Sequence, residues 1–142
     1  GGVMNFVDKY NALDEALADT EYELGNVEEK INDLGKQKTS VEKSMAELER
    51  QIIKANGGYD ALGSNDNKRK ERRVELLVAH PGYAQLQRSF DLLCSDIGDA
   101  QTEERRLIRR FQATIHRLDA IAALAINMAG SKTRTIQDEA GY

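Results

Sequence analysis

Residues 3–55 read VMNFVDKYNALDEALADTEYELGNVEEKINDLGKQKTSVEKSMAELERQIIKA, and an apolar residue recurs along this stretch at alternating intervals of three and four. Only Thr20 and Lys38 interrupt the repeat, whose positions are Val3, Phe6, Tyr10, Leu13, Leu17, Thr20, Leu24, Val27, Ile31, Leu34, Lys38, Val41, Met45, Leu48, Ile52 and Ala55. This spacing, kept over about seven heptads, is typical of a left-handed coiled coil. Since a straight helix drifts by about 20° per heptad against the repeat, the sequence predicts a helix that supercoils around a partner.

A second apolar repeat follows Pro81 and supplies the predicted partner. Its positions are Tyr83, Leu86, Phe90, Leu93, Ile97, Ala100, Glu104, Leu107, Phe111, Thr114, Leu118, Ile121, Ala125 and Met128. Between the two repeats stand Asn56-Gly57-Gly58, a strong signal for helix termination, and a shorter predicted helix at about residues 67–79. The sequence therefore predicts an all-α fold, a long antiparallel coiled-coil hairpin with a short helical head at its tip.

The predicted hairpin occupies residues 1–129 as a single domain. Its first long helix covers 3–55, a loop and the short helix form the head over 56–86, and the third helix covers 81–129. Residues 130–142 show no periodicity and are predicted to form a flexible tail.

One charged residue in each seam predicts how the long helices align. Lys38 is the charged position of the first repeat and Glu104 that of the second. A charged pair inside a seam fixes the register at some cost in stability. We therefore expect Lys38 to lie close to Glu104, which would place Ile52 opposite Phe90.

The composition limits the classes of function. Apolar residues make up 40% and charged residues 31%, which suits a narrow apolar seam better than a wide core. The net charge of −4 argues against a protein that coats nucleic acid over its whole surface, but it allows a local basic patch. Cys94 is the only cysteine, so neither an internal disulfide nor a cysteine zinc cluster is expected. The sequence shows no signal peptide and no membrane span, so we expect a cytoplasmic protein.

The end of the hairpin that carries the chain termini, called the base, is predicted to self-associate. Residues 120–126 are apolar around the whole helix, and a two-helix shaft cannot cover such a surface. We expect a homodimer that forms a four-helix bundle. The predicted contact residues are Phe6, Val7, Ile121, Leu124, Ile126 and Met128. The alternative is that residues 1–12 fold back over the base of their own chain.

The head carries the strongest cluster of positive charge. Its members are Lys68, Arg69, Lys70, Arg72 and Arg73. Several cations so close together at a helix start could contact the phosphates of nucleic acid or an acidic partner. Tyr59 and Tyr83 could offer faces on which bases stack. The alternative is a solvated helix turn whose charges only keep the head soluble.

A second basic group lies opposite an acidic flank. The basic residues are Arg105, Arg106, Arg109, Arg110 and Arg117, and the acidic ones are Asp14, Glu21, Glu28, Glu42 and Glu49. Because charges beside a seam influence partner choice, we expect these arginines to neutralise the acidic flank of a neighbouring copy rather than to bind DNA.

Catalysis has little support in the sequence. His80 and His116 would lie far apart in a hairpin, and neither has metal-ligand spacing to a cysteine or to a second histidine. His80 precedes Pro81 and is expected to help cap the third helix. Cys94 suits a packing residue at the edge of the seam. We therefore expect no enzyme activity, no metal and no cofactor.

The head segment also matches a known pattern, a Gly-x-Asn motif, a charged helix with Glu-Arg, and Pro-x-Tyr opening the last long helix. The matching residues are Gly63, Asn65, Glu71, Arg72, Pro81 and Tyr83, while His80 replaces the usual acidic cap. In these features the chain resembles small helical-hairpin proteins of bacteriophages and prophages, many of them encoded near single-strand annealing and other recombination genes. The resemblance implies a phage protein in a bacterial host and a role in DNA metabolism, without a mechanism.

Together these patterns predict a non-enzymatic binding protein that engages DNA, or a DNA-processing enzyme, through its basic head. Two alternatives remain. The first is a protein–protein inhibitor or adaptor that acts on a host defence or replication protein. The second is a structural spacer or assembly chaperone, for which a rod shape suffices.

Overall fold

The computed structural model describes the backbone of residues 2–139 and the side chains of residues 5–130. In that part of the chain it contains three α-helices, α1 (Gly2–Ala55), α2 (Asp66–Ala79) and α3 (Pro81–Glu139), and a short 3₁₀ helix over Tyr59–Leu62, without strands. The long helices α1 and α3 pack together, which confirms the predicted all-α helical hairpin. The two heptad repeats form its seam, since every repeat position from Leu13 to Ile52 and from Tyr83 to Ile121 is buried or half-buried.

The chain divides into two compact units. The first, the terminal unit, comprises the described parts of Gly1–Glu28 and Thr102–Tyr142, and the second, the head unit, is Glu29–Gln101. In the terminal unit Leu107 is fully buried, and Thr20 and Thr114 are buried beside the apolar positions. The two threonines are accommodated because each hydroxyl donates to a backbone carbonyl of its own helix, Thr20 to Ala16 at 2.7 Å and Thr114 to Arg110 at 2.9 Å.

In the head unit α1 ends at the predicted glycine pair. Gly57 and Gly58 have φ values of 90° and 93°, a conformation that side chains disfavour. The N–H of Gly58 donates to the carbonyl of Ile53 and that of Gly57 to Lys54, the hydrogen-bond pattern of a Schellman C-cap. The chain therefore leaves α1 through local backbone geometry that the sequence encodes directly.

The predicted pair of Lys38 and Glu104 is wrong. The ammonium of Lys38 lies 5.4 Å from the centroid of the Phe90 ring, in a cation–π contact. Phe90 precedes Glu104 in α3 by about four turns. The seam of two helices stays half open, so the side chain of half-buried Lys38 reaches the edge of the seam and needs no buried carboxylate.

The helix ends differ from the sequence prediction in two places. A Cβ at Gly82 would lie 3.6 Å from Cδ2 of Leu48, so α3 reaches the side of α1 in its first turn, although residues up to 86 were assigned to the head. At the other end α3 is helical to Glu139, well beyond the predicted end at residue 129. The segment after Gly130 contains no proline, and a single glycine costs a helix only about 1 kcal/mol. The other residues of the predicted tail, 131–142, have side chains that lie outside the described part of the chain.

Candidate functional site

The basic cluster of the head lies on α2, whose start is built by local contacts. Asn65 is the N-cap, and its side-chain Oδ1 accepts from the backbone N–H of Lys68 at 2.9 Å. Asp66 receives a hydrogen bond from the hydroxyl of Tyr59 and an ion pair from Lys70, each at 3.3 Å. The hydrogen bond from Lys70 is the main reason that the pKa of Asp66 lies below its ordinary value. Tyr59, predicted as a stacking face, thus contributes to holding the loop against α2.

The structure does not bring the five cations together on one face. Three of them have carboxylate partners: Lys70 pairs with Asp66, Arg72 with Glu75 at 3.2 Å, and Arg73 with Glu49 of α1. The hydrogen bond to Glu49 raises the pKa of Arg73 above its ordinary value. The sequence had placed Glu49 on an outer acidic flank, so this contact was missed.

Lys68 and Arg69 differ from the other three, since neither makes an ion pair among the described residues. Lys68 is exposed, whereas Arg69 is half-buried and its Nε is a buried donor without a hydrogen-bond partner. Lys68 and Arg72 are four residues apart and therefore share one face of α2. Positive charge not matched by carboxylates is thus concentrated at the first turn of this helix.

A second face of α2 is apolar and open. Val74 and Val78 are 54% and 73% exposed, while Leu77 between them is buried. Lys70 continues this face toward the start of the helix by one turn. In the sequence, the spacing of four residues between Val74 and Val78 and their offset from Leu76 and Leu77 are the signals that indicate a separate stripe.

A shallow groove lies where α1, α2 and α3 meet in the head unit. It encloses about 370 Å³ and is lined mainly by apolar atoms of Leu48, Ile52, Ala55, Leu76 and Pro81. His80 stands at its edge, and Nδ1 of its ring accepts from the backbone N–H groups of Gly82 at 3.1 Å and Tyr83 at 3.3 Å. The expected role of His80 as the cap of α3 is therefore confirmed.

The residues that carry the resemblance to phage hairpins have structural tasks here. A Cβ at Gly63 would lie 2.8 Å from Cβ of Lys68, so only glycine allows the loop to pass this close to α2. Asn65 caps α2, and Pro81 opens α3, where its fixed φ suits a first helical position. Tyr83 is half-buried in the seam. Gly63, Asn65 and Pro81 of the motif thus build the head, while Arg72 is exposed and remains available to a partner.

At the base the predicted contact residues lie on more than one side of the hairpin. Phe6 and Ile121 are half-buried in the seam, whereas Val7, Leu124, Ile126 and Met128 are exposed. Two of the predicted inter-chain arginines have partners in their own chain, Arg110 with Glu23 at 2.7 Å and Arg106 with Glu103 at 2.6 Å. Both pairs are exposed, and Arg105, Arg109 and Arg117 make no described ion pair, so the pairing of these arginines with a neighbouring copy stays a prediction.

Within the described residues no group of three or more His, Cys, Asp or Glu side chains could hold a metal ion. Cys94 is a free, half-buried thiol, and His116 is exposed. Over the same part of the chain, no helix is long and apolar enough to cross a membrane. Comparisons with protein-family models, curated proteins and solved structures give no match to this chain.

Proposed function

We propose that this is a non-enzymatic binding protein of the phage type, which engages the phosphate backbone of DNA through α2 of its head. The observation that supports the proposal is that Lys68 and Arg69, in the first turn of α2, make no ion pair among the described residues. The free N–H groups and the dipole of a helix start add to the attraction for an anion at the same place.

The neighbouring ion pairs do not prevent such binding. Lys70–Asp66 and Arg72–Glu75 are exposed pairs within one helix, with all four side chains at least half exposed. Exposed pairs of this kind contribute about 0 to 1 kcal/mol, so a phosphate can replace either carboxylate at little cost. Lys68 and Arg72, which share one face of α2, could neutralise about two phosphates, which corresponds to a salt slope of about −2 in a log–log plot.

A second candidate function is that of an adaptor or inhibitor that binds a protein through α2. It is favoured by Val74 and Val78, because DNA backbone recognition gains nothing from two exposed valines on the same helix as the cations. A host defence or replication enzyme with an acidic surface around an apolar spot would fit this face. In both cases the setting implied by the resemblance is the cytoplasm of a bacterial host.

The test is a fluorescence-anisotropy titration of the full chain against labelled single- and double-stranded DNA at low and moderate salt. The variant Lys68→Ala/Arg72→Ala removes two cations from one face of α2. The matched control, Lys36→Ala/Lys43→Ala, removes two exposed cations from α1 in the same unit and so changes the net charge equally.

Saturable binding that the α2 variant weakens about tenfold, and the control much less, would support the proposal. Equal losses in the two variants would show unspecific attraction and contradict it. If no DNA binds even at low salt, the DNA proposal fails. The adaptor candidate is tested by capture of purified DNA-processing enzymes by the wild-type chain and by Val74→Ser/Val78→Ser, and loss of capture in this variant alone would support it.

A further inference from the structure

One flank of the terminal unit carries an open apolar face. We define the apolar face as Val7, Tyr10, Ile108, Ile115, Ala122 and Ile126. Val7 is 54% and Ile126 71% exposed, and between α1 and α3 the face encloses a groove of about 360 Å³ with an almost entirely apolar lining. Contiguous apolar surface of this kind on a water-exposed helix pair marks an interaction site.

The charges beside the apolar face divide by helix. Glu21 and Glu28 follow Val7 at seven-residue steps and therefore share its flank of α1. On α3, Arg105 lies three residues before Ile108 and Arg109 one turn after Arg105, so both border the face. All four side chains are exposed, and none makes a described ion pair. Along these four residues one edge of the face is thus acidic and the other basic.

One observed contact shows which charges of α1 and α3 lie at the same height along the helix axes, here called the same level. Glu23 pairs with Arg110 at 2.7 Å, and the helices are antiparallel, so a step forward in α1 corresponds to a step back in α3. Glu28 therefore lies at the level of Arg105. Glu21 lies within about one turn of the level of Arg109.

We infer that the apolar face is covered by a second copy of this chain, in a parallel two-fold dimer that places α1 of each copy on α3 of the other. A two-fold axis parallel to the helices exchanges the two helices and keeps every residue at its level. Glu28 of one copy then meets Arg105 of the other, Glu21 approaches Arg109, and Val7 meets the region of Ile126. Each copy thus supplies opposite charges to both edges of the apolar face of the other copy.

The charge pattern favours a second copy of the chain as the partner, and it favours the parallel orientation. If the second copy were turned end over end, α1 would lie on α1 and the acidic edges would repel each other. In the parallel arrangement Glu21, Glu28, Arg105 and Arg109 gain opposite partners, whereas Asp14 lies at the level of Asp119 and gains none. The apolar groove is closed by the same apolar groove. The inference does not depend on what the head binds.

Sedimentation equilibrium of the full chain and a charge-exchange experiment test the dimer. Variant one, Glu21→Lys/Glu28→Lys, makes both edges basic, and variant two, Arg105→Glu/Arg109→Glu, makes both acidic. We expect each variant alone to dimerise at least tenfold more weakly than the wild type, and an equimolar mixture to form a one-to-one heterodimer near wild-type affinity.

The apolar face is tested with Ile126→Glu, which should abolish the dimer, against Ala113→Glu, which changes an exposed residue two positions before Ile115 and therefore on the other side of α3. Circular dichroism verifies that each variant remains helical. A monomeric wild type, or dimers that tolerate both charge variants equally well, would overturn the inference. Rescue by mixing supports a second copy, because no other partner responds to the two variants in this reciprocal way.

Discussion

Arg73 of α2 donates a hydrogen bond from its Nε to the carboxylate of Glu49 in α1, and among the described ion pairs this is the only one that joins these two helices. Both side chains are partly buried, with 41% and 22% exposure. The contact fixes the side of α1 on which α2 lies, and thereby which of its faces remain free for a partner.

Replacing Glu49 should therefore destabilise the head more than replacing an exposed acid. We expect Glu49→Ala to lower the free energy of unfolding by about 1 to 2 kcal/mol, because a partly buried guanidinium loses its charged partner. The control is Glu47→Ala, whose pair with Arg50 is exposed and lies within one helix, and which should lower the stability much less. Denaturant unfolding followed by circular dichroism measures both. Equal midpoints for the two variants would refute the role of the Arg73–Glu49 contact.

Two glycines should respond to alanine with opposite signs. Gly63→Ala brings a Cβ within 2.8 Å of Cβ of Lys68 and 3.0 Å of the backbone N of Arg69, so we expect a loss of more than about 1 kcal/mol. Gly25 is helical, and a Cβ there would meet nothing within 4 Å, so Gly25→Ala should gain about 1 kcal/mol from helix propensity. Thermal unfolding of the two variants gives the signs directly. Stabilisation by Gly63→Ala would show that the loop can move away from α2.

The cap of α3 depends on an acceptor at residue 80. His80→Ala leaves the N–H groups of Gly82 and Tyr83 without their side-chain partner and should cost about 1 kcal/mol. His80→Asp restores an acceptor, adds a negative charge at the helix start, and should match or exceed the wild type in stability. The exposed His116→Ala serves as control and should change little. If aspartate is no better than alanine at residue 80, the histidine acts through packing against the groove and not as a cap.

Asp66 should make the head sensitive to acid. Its folded-state pKa lies below the unfolded value, chiefly because of the hydrogen bond from Lys70. A depressed pKa means that the stabilising contribution is complete above the unfolded pKa of about 3.9 and disappears as the pH falls through the folded pKa. The difference in unfolding free energy between the wild type and Asp66→Asn should therefore shrink as the pH is lowered from about 6 to about 2. Asp60→Asn, at a residue without a described ion pair, is the control, and a difference that does not vary with pH would contradict the expectation.

The absence of a Lys38–Glu104 pair can be verified in solution. Lys38→Leu places an apolar side chain in the seam beside Phe90 and should stabilise the hairpin by about 1 kcal/mol, since burial of the leucine side chain stabilises the seam by more than the cation–π interaction does. Glu104→Leu occupies another half-buried seam position. Because the two residues do not touch, their effects should add within about 0.5 kcal/mol in the double variant. A larger coupling in a double-mutant cycle would restore the pair that the sequence suggested.

Several features of the fold could be predicted from the sequence because their causes are local. The seam positions follow from heptad periodicity, and the end of α1 follows from Asn56-Gly57-Gly58, whose glycines adopt the positive φ of a C-cap. The capping role of His80 follows from its place directly before Pro81. Thr20 was an exception in the apolar pattern, and its burial required only a hydrogen bond within its own turn.

The candidate site was predicted only as a set of residues. Five cations within six positions of a helix must point in several directions, so sequence clustering does not imply a shared surface. The carboxylate partner of Arg73 comes from α1, and the sequence contains no signal that Glu49 and not another acid of that flank would be chosen. The exposure of Val74 and Val78 likewise depends on which side of α2 meets the rest of the head.

By itself, then, the sequence determined that two long helices pair along heptad seams and where the chain turns between them. The tertiary structure alone decided the register, since Lys38 lies over Phe90 and not beside its predicted partner Glu104. The physical reason is the repeat itself. A heptad pattern shifted by whole heptads matches apolar positions almost equally well, so the alignment is decided by the short head and by the cap at His80, which bring α3 onto α1 in its first turn.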